Sequence, residues 1–221
     1  MNEFILYERF IVSKDWATFL FIICTIIIAV NKSSSWVQFN EFSKLLFSDK
    51  YLRIYKDSSN LLSGFTISMF FVQIVSFSFF LLLLLDNYNI VQKTSFTAFL
   101  QVFTFLIVFV LSKFLIDKII ADIFDLDELI EQFNLIKVNY RAYIGFLLLP
   151  FTVILFYNTI NNSWIYLTLL IVIVAISIIT YILSVKNYQF LLQRYIFYFI
   201  LYLCTLEIAP YYFMYYWFTK H

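Results

Sequence analysis

The chain has few of the residues on which soluble enzymes depend. It has one histidine, His221, two cysteines, and 13% charged residues, whereas soluble domains average about one-quarter. Cys24 and Cys204 both lie in apolar runs. Metal sites built from histidine and cysteine, histidine-based catalytic triads and disulfide frameworks are therefore not expected. The 15 basic and 14 acidic residues give a net charge of +1, which argues against a nucleic-acid partner.

Apolar residues make up 63% of the chain, and they occur in long runs. A helix needs roughly 20 residues to cross about 30 Å of hydrocarbon. Six runs are candidate spans, at residues 16–30, 61–85, 95–112, 142–157, 164–185 and 195–217. The pattern predicts an all-α, polytopic transmembrane bundle, residues 1–221 forming one integral membrane domain. The first and fourth runs are short, so flanking residues or local thinning of the bilayer must complete them.

The basic residues of the connections predict an orientation. The connections after spans one, three and five carry eleven Lys and Arg, and the remaining segments carry four. Because loops rich in Lys and Arg stay in the cytoplasm, both termini are expected on the opposite side. If the first run did not cross, only the N-terminus would change side.

Glycine and proline are scarce, with two of each, so the connections are predicted to be helical. Ser35 and Gln38 fit a capping box, followed by an apolar stripe of Trp36, Phe39, Phe42 and Leu45 or Leu46. A second amphipathic helix is predicted at residues 126–137, with Asp125 as its cap. We expect both helices to lie in the cytoplasmic membrane interface or to pack on each other.

An acidic run surrounds the start of that second helix. Its members are Asp117, Asp122, Asp125, Asp127, Glu128 and Glu131. A solvated face is the simplest interpretation. The alternatives are a cytoplasmic docking face at Asp125, Asp127, Glu128 and Glu131, or a metal site.

Glu207 is the one charged residue of 29 that lies inside a predicted span. Burial in hydrocarbon favours its neutral form, so a protonated, hydrogen-bonded carboxyl is expected. Pro210 cannot donate to the carbonyl of Leu206, which leaves an acceptor beside it. The site could bind a proton or cation, or Glu207 could link helices. The polar residues of other spans that could pair with it are Gln73, Gln101, Thr104, Ser177 and Thr180.

A second proline, Pro150, follows Gly145 in the fourth span. The pair predicts a helix kink, at a point where a neighbouring helix could approach closely. Span two carries its own polar set, which either binds neighbouring helices or lines a hydrated path. Its members are Ser63, Thr66, Ser68, Gln73, Ser76 and Ser78.

Three segments resemble a family of uncharacterised inner-membrane proteins of Bacteroidota, catalogued as a domain of unknown function. These are Glu8, Arg9, Asp15 and Trp16; Arg-Ala-Tyr-Ile-Gly-Phe-Leu-Leu-Leu-Pro at 141–150; and Leu-Tyr-Leu-Cys-Thr-Leu-Glu-Ile-Ala-Pro at 201–210. The family's glutamate in the last segment corresponds to Glu207. The resemblance implies a bacterial inner membrane and, as a setting, an envelope complex such as secretion or gliding machinery.

Two functions remain after these exclusions. No phosphate-binding loop, zinc-protease motif or hydrolase serine motif is present, so an enzyme is not expected, and no cofactor is. We favour a non-enzymatic accessory or scaffold subunit that binds the bilayer and other membrane proteins. The alternative is a small transporter or proton-conducting protein that uses Glu207, with a substrate that the sequence does not identify.

Overall fold

A computed structural model describes residues 14–45, 51, 63–123, 127–158 and 163–187 of the chain. The described residues form six helices and no strands, which confirms the all-α prediction. The helices are α1, Asp15–Ser34; α2, Trp36–Ser43; α3, Gly64–Asn87; α4, Phe96–Ile123; α5, Asp127–Tyr157; and α6, Ser163–Asn187.

Four of these helices are long and apolar enough to cross a membrane, so the chain is a membrane-embedded protein. They are α1, α3, Phe96–Ile119 of α4 and Asn134–Tyr157 of α5. In α6 the apolar stretch is shorter, Trp164–Thr180. The predicted sixth span, 195–217, lies outside the described residues.

The first span is longer than its apolar run indicated. Helix α1 has 20 residues, which corresponds to about 30 Å, because the polar residues that flank the apolar run are helical as well. Its last turn is polar, and Asn31 in that turn is buried. Asn31 Nδ2 donates to Ser68 Oγ at 2.7 Å, and Ser68 Oγ lies 3.0 Å from Asn31 Oδ1. This pairing with α3 explains how a polar residue is accommodated there.

The fourth span is longer as well, because it is continuous with the predicted second loop helix. We expected separate elements at 126–137 and 142–157, whereas α5 runs unbroken over 31 residues. No glycine or proline occurs before Gly145 to end the helix. The polar residues in between, Asn134, Lys137 and Asn139, are buried rather than in a loop.

Helix α2 forms where the sequence predicted it, but the details of its capping and orientation differ. Ser35 occupies the N-cap position without a side-chain hydrogen bond, so the predicted capping box is wrong. Gln38 instead donates from Nε2 to Tyr51 Oη at 3.5 Å. The residues of the predicted apolar stripe do not share one environment, because Phe42 and Leu45 are buried whereas Trp36 is exposed.

Helix α3 is the centre of the bundle and packs against α1, α4, α5 and α6. Of its most apolar stretch 61% is buried, against 11% in α4. Two hydrophobic cores lie along it. The Phe79 core joins α3 to α1, α4, α5 and α6, and its rings include Phe21, Phe79, Phe99 and Phe156. The Phe42 core joins α2 to α3 and α5 through Phe42, Phe65, Met69 and Tyr143.

Candidate functional site

Two polar side chains of α3 lie among the apolar residues of the Phe79 core. Gln73 and Ser76 directly follow Val72 and Val75, which belong to that core. They are 3% and 0% exposed. Gln73 Oε1 and Ser76 Oγ have no hydrogen-bond partner among the described residues. We call Gln73 and Ser76 the polar step.

Gly145 of α5 fixes the position of the polar step. A Cβ atom at Gly145 would lie 2.6 Å from the Cα atom of Gln73 and 2.9 Å from its Cβ atom. The two backbones therefore approach as closely as only glycine allows, as in other membrane helix pairs with small residues at the crossing. Pro150 lies inside the same unbroken helix, and its ring is exposed.

The polar step has a definite chemical preference. Gln73 Oε1 only accepts a hydrogen bond, whereas Ser76 Oγ both donates and accepts one. Residues three apart on a helix share a face, so one small group can reach both. A neutral carboxyl group fits, because its O–H can donate to Gln73 while its carbonyl accepts from Ser76. Without such a partner each buried oxygen costs about 1–3 kcal/mol.

Three of the other proposed partners of Glu207, Thr104, Ser177 and Thr180, are already bonded within their own helices. Thr104 Oγ1 donates to the carbonyls of Leu100 and Gln101. Ser177 Oγ donates to Ile173 O at 2.8 Å, and Thr180 Oγ1 donates to Ser177 O at 2.9 Å. The Gln101 side chain is exposed. Gln73 is the one of the five with a buried, unbonded oxygen, while Leu206, Glu207 and Pro210 lie outside the described residues.

The polar set of span two serves mainly its own helix. Ser63 caps α3 by accepting from Thr66 N, and Ser78 Oγ donates to Ile74 O at 2.7 Å. Ser68 joins α3 to a second helix, α1, through Asn31.

The acidic run does not form a single solvated face. Asp117 is 3% exposed, and Lys113, one turn earlier on α4, is 8% exposed. Because they are four residues apart, Lys113 and Asp117 share one face of α4. Glu131 is half-buried, Asp125 lies outside the described residues, and the side chains of Asp127 and Glu128 do as well. Within the described part of the chain, no three His, Cys, Asp or Glu side chains are grouped to hold a metal ion.

Hydrogen bonds hold the connection between α3 and α4 against the start of α1 and the end of α5. Lys93 N donates to Asp86 Oδ1 at 2.9 Å, and Lys93 Nζ donates to Asn158 O at 3.1 Å. Trp16 Nε1 donates to Thr94 O at 3.3 Å. Burial lowers the pKa of Lys93, and the nearby Lys14 acts in the same direction against the opposing Asp86 carboxylate. The network fixes the starts of α1 and α4 and the end of α5 relative to one another.

The polar step and the packing around it lie in a segment that matches a known family. The model of the family described as Domain of unknown function (DUF4271) matches residues 17–218. The chain belongs to this family. It matches no curated protein and no solved structure. Membership confirms the expected relationship to an uncharacterised domain family and assigns no activity.

Proposed function

We propose that the protein is a non-enzymatic scaffold or accessory subunit that binds other membrane proteins. The proposal depends on the end of α4. Lys93 and Thr94 fix the start of α4 near the membrane surface, and 28 residues of helix extend for about 42 Å. The apolar stretch that can cross the membrane runs to Ile119, and charged residues begin at Lys113, so the last turns of α4, from about Lys113 onward, reach the edge of the hydrocarbon and project beyond it.

This projecting end has two different faces. Lys113, Asp117 and Ala121, at intervals of four, are buried against the bundle. Leu115 and Ile119 are 58% and 59% exposed on the outside. Exposed apolar side chains beside the exposed Lys118 and Asp122 are unusual where water is available. A protein partner that covers this face explains why they are there.

Purification in mild detergent tests the scaffold function. We expect a partner protein to be recovered in a fixed ratio with the wild type. Leu115→Ser combined with Ile119→Ser should lose the partner while the protein keeps its membrane abundance. Val108→Ser is the matched control, because Val108 is 62% exposed on the same helix but lies within the hydrocarbon. Recovery of the partner with the double variant would refute the docking role of this face.

We also propose that the membrane is a bacterial inner membrane and that the projecting end lies in the cytoplasm, with both termini outside it. The eleven-to-four distribution of Lys and Arg supports this orientation. A periplasmic reporter fused after His221 should be active, and the same reporter inserted near Lys118 should be inactive. The opposite result at both positions would invert the topology. An envelope complex, such as secretion or gliding machinery, is the proposed setting.

The polar step favours a second candidate, transport of protons or cations through Glu207. Gln73 and Ser76 suit a neutral carboxyl, and Glu207 is the intramembrane carboxyl that the sequence provides. This function predicts uptake by the purified protein alone in liposomes. Glu207→Gln should then abolish uptake at normal abundance, because the amide cannot exchange a proton. If liposomes show no uptake and a partner co-purifies, the scaffold function is supported and transport is refuted.

A further inference from the structure

The first turn of α2 presents large apolar side chains outward. Trp36 and Val37 are 60% and 67% exposed. They do not belong to the Phe42 core, because Phe42 and Leu45 on the other face of this segment fill that core. We call Lys32, Trp36 and Lys44 the elbow residues.

A lysine accompanies the exposed tryptophan. Lys32 Nζ lies 5.6 Å from the centre of the Trp36 ring, within the range of a cation–π contact. Lys44 is exposed at the far end of α2. Lys44 directly follows the last residue of α2, so the two lysines flank α2 in the sequence. The elbow therefore combines an aromatic ring with positive charge on both sides.

The outer face of α1 shows what surrounds the elbow. Phe19, Ile22, Ile26 and Val30, spaced three or four apart, are each at least half exposed. Such a stripe on a spanning helix faces lipid chains. It ends at Val30, and Lys32 follows, so the elbow lies at the depth where the hydrocarbon ends. Tryptophan and lysine are the residues that prefer this depth.

We propose that the elbow binds the headgroup of an anionic phospholipid. The Lys32 and Lys44 ammonium groups attract the phosphate, and the Trp36 ring lies at the boundary between headgroups and acyl chains. The inference is independent of the proposed function, because neither the projecting end of α4 nor Glu207 takes part.

Native mass spectrometry of the full chain measures the lipid contact. The protein in detergent is titrated with phosphatidylglycerol or, for comparison, with phosphatidylcholine. We expect tighter binding of phosphatidylglycerol, weakened about fivefold by Lys32→Gln and about fivefold by Lys44→Gln. Lys118→Gln, which removes an exposed lysine from α4, should leave the affinity unchanged. Equal affinities of the Lys32, Lys44 and Lys118 variants would overturn the proposal.

Brominated lipids measure the depth of the tryptophan. The chain contains four tryptophans, so the signal of Trp36 is taken as the difference between wild type and Trp36→Phe. Bromine near the headgroup end of the acyl chains should quench this difference more than bromine near the bilayer centre. Quenching only at the centre would refute an interfacial position. Displacement of phosphatidylglycerol by inorganic phosphate would assign the site to a free anion instead of a lipid.

Discussion

Gly145→Ala is expected to destabilise the folded protein by about 1 to 3 kcal/mol, the range for overpacking a close contact. The added methyl group would lie 2.6 Å from the Gln73 Cα atom, which belongs to the backbone and cannot rotate away. Helices α3 and α5 must therefore separate at the polar step. The better helix propensity of alanine offsets only part of this cost.

Gly64→Ala provides the matched control for this substitution. Gly64 begins α3, and no atom lies within 4 Å of the position that a Cβ would take. Its thermal midpoint in detergent should equal or exceed that of the wild type, whereas Gly145→Ala should show a lower midpoint and lower membrane abundance. Wild-type stability of Gly145→Ala would show that α3 and α5 do not meet closely at Gln73.

The sequence predicts the class of fold because lipid imposes a simple rule on it. Apolar runs free of charge locate the described spanning helices, whatever the details of their packing. The ends of the helices are less predictable. Asn31 looks like the end of α1 until Ser68 of another helix is known to bond it. Lys137 and Asn139 look like a loop until they are seen buried within α5.

The residues of the candidate site are also only partly predictable from the sequence. Ser76 and Ser78 are the same residue type in similar apolar surroundings of the sequence, so the sequence around them does not distinguish their roles. Only the structure shows that Ser78 bonds its own helix while Ser76 does not. The sequence predicts that a helix approaches Gly145 closely, but it does not predict that Gln73 is the residue in contact. Contacts between residues far apart in the chain depend on the tertiary packing and not on the local sequence.

Phe42→Asp is expected to cause a large loss of folded protein, because α2 is oriented with Phe42 in the core. Phe42 is 0% exposed and contacts the rings of Tyr51, Phe65, Tyr143 and Phe146 edge-on, with centroids 5.5 to 6.5 Å away. Removing a buried phenyl ring costs about 3 to 5 kcal/mol. Burying a carboxyl group without a partner adds to that cost.

Two variants separate the effect of burial from that of charge. Asn40→Asp adds the same charge to the same helix at a half-buried polar position, so its abundance should stay near that of the wild type. Phe42→Leu keeps an apolar, although smaller, side chain and should cost less than Phe42→Asp, because no polar group is buried. Protease sensitivity in native membranes measures all three. If Phe42→Asp were as resistant as Asn40→Asp, α2 would not be packed into the Phe42 core, and the elbow would no longer have a fixed position relative to the bundle.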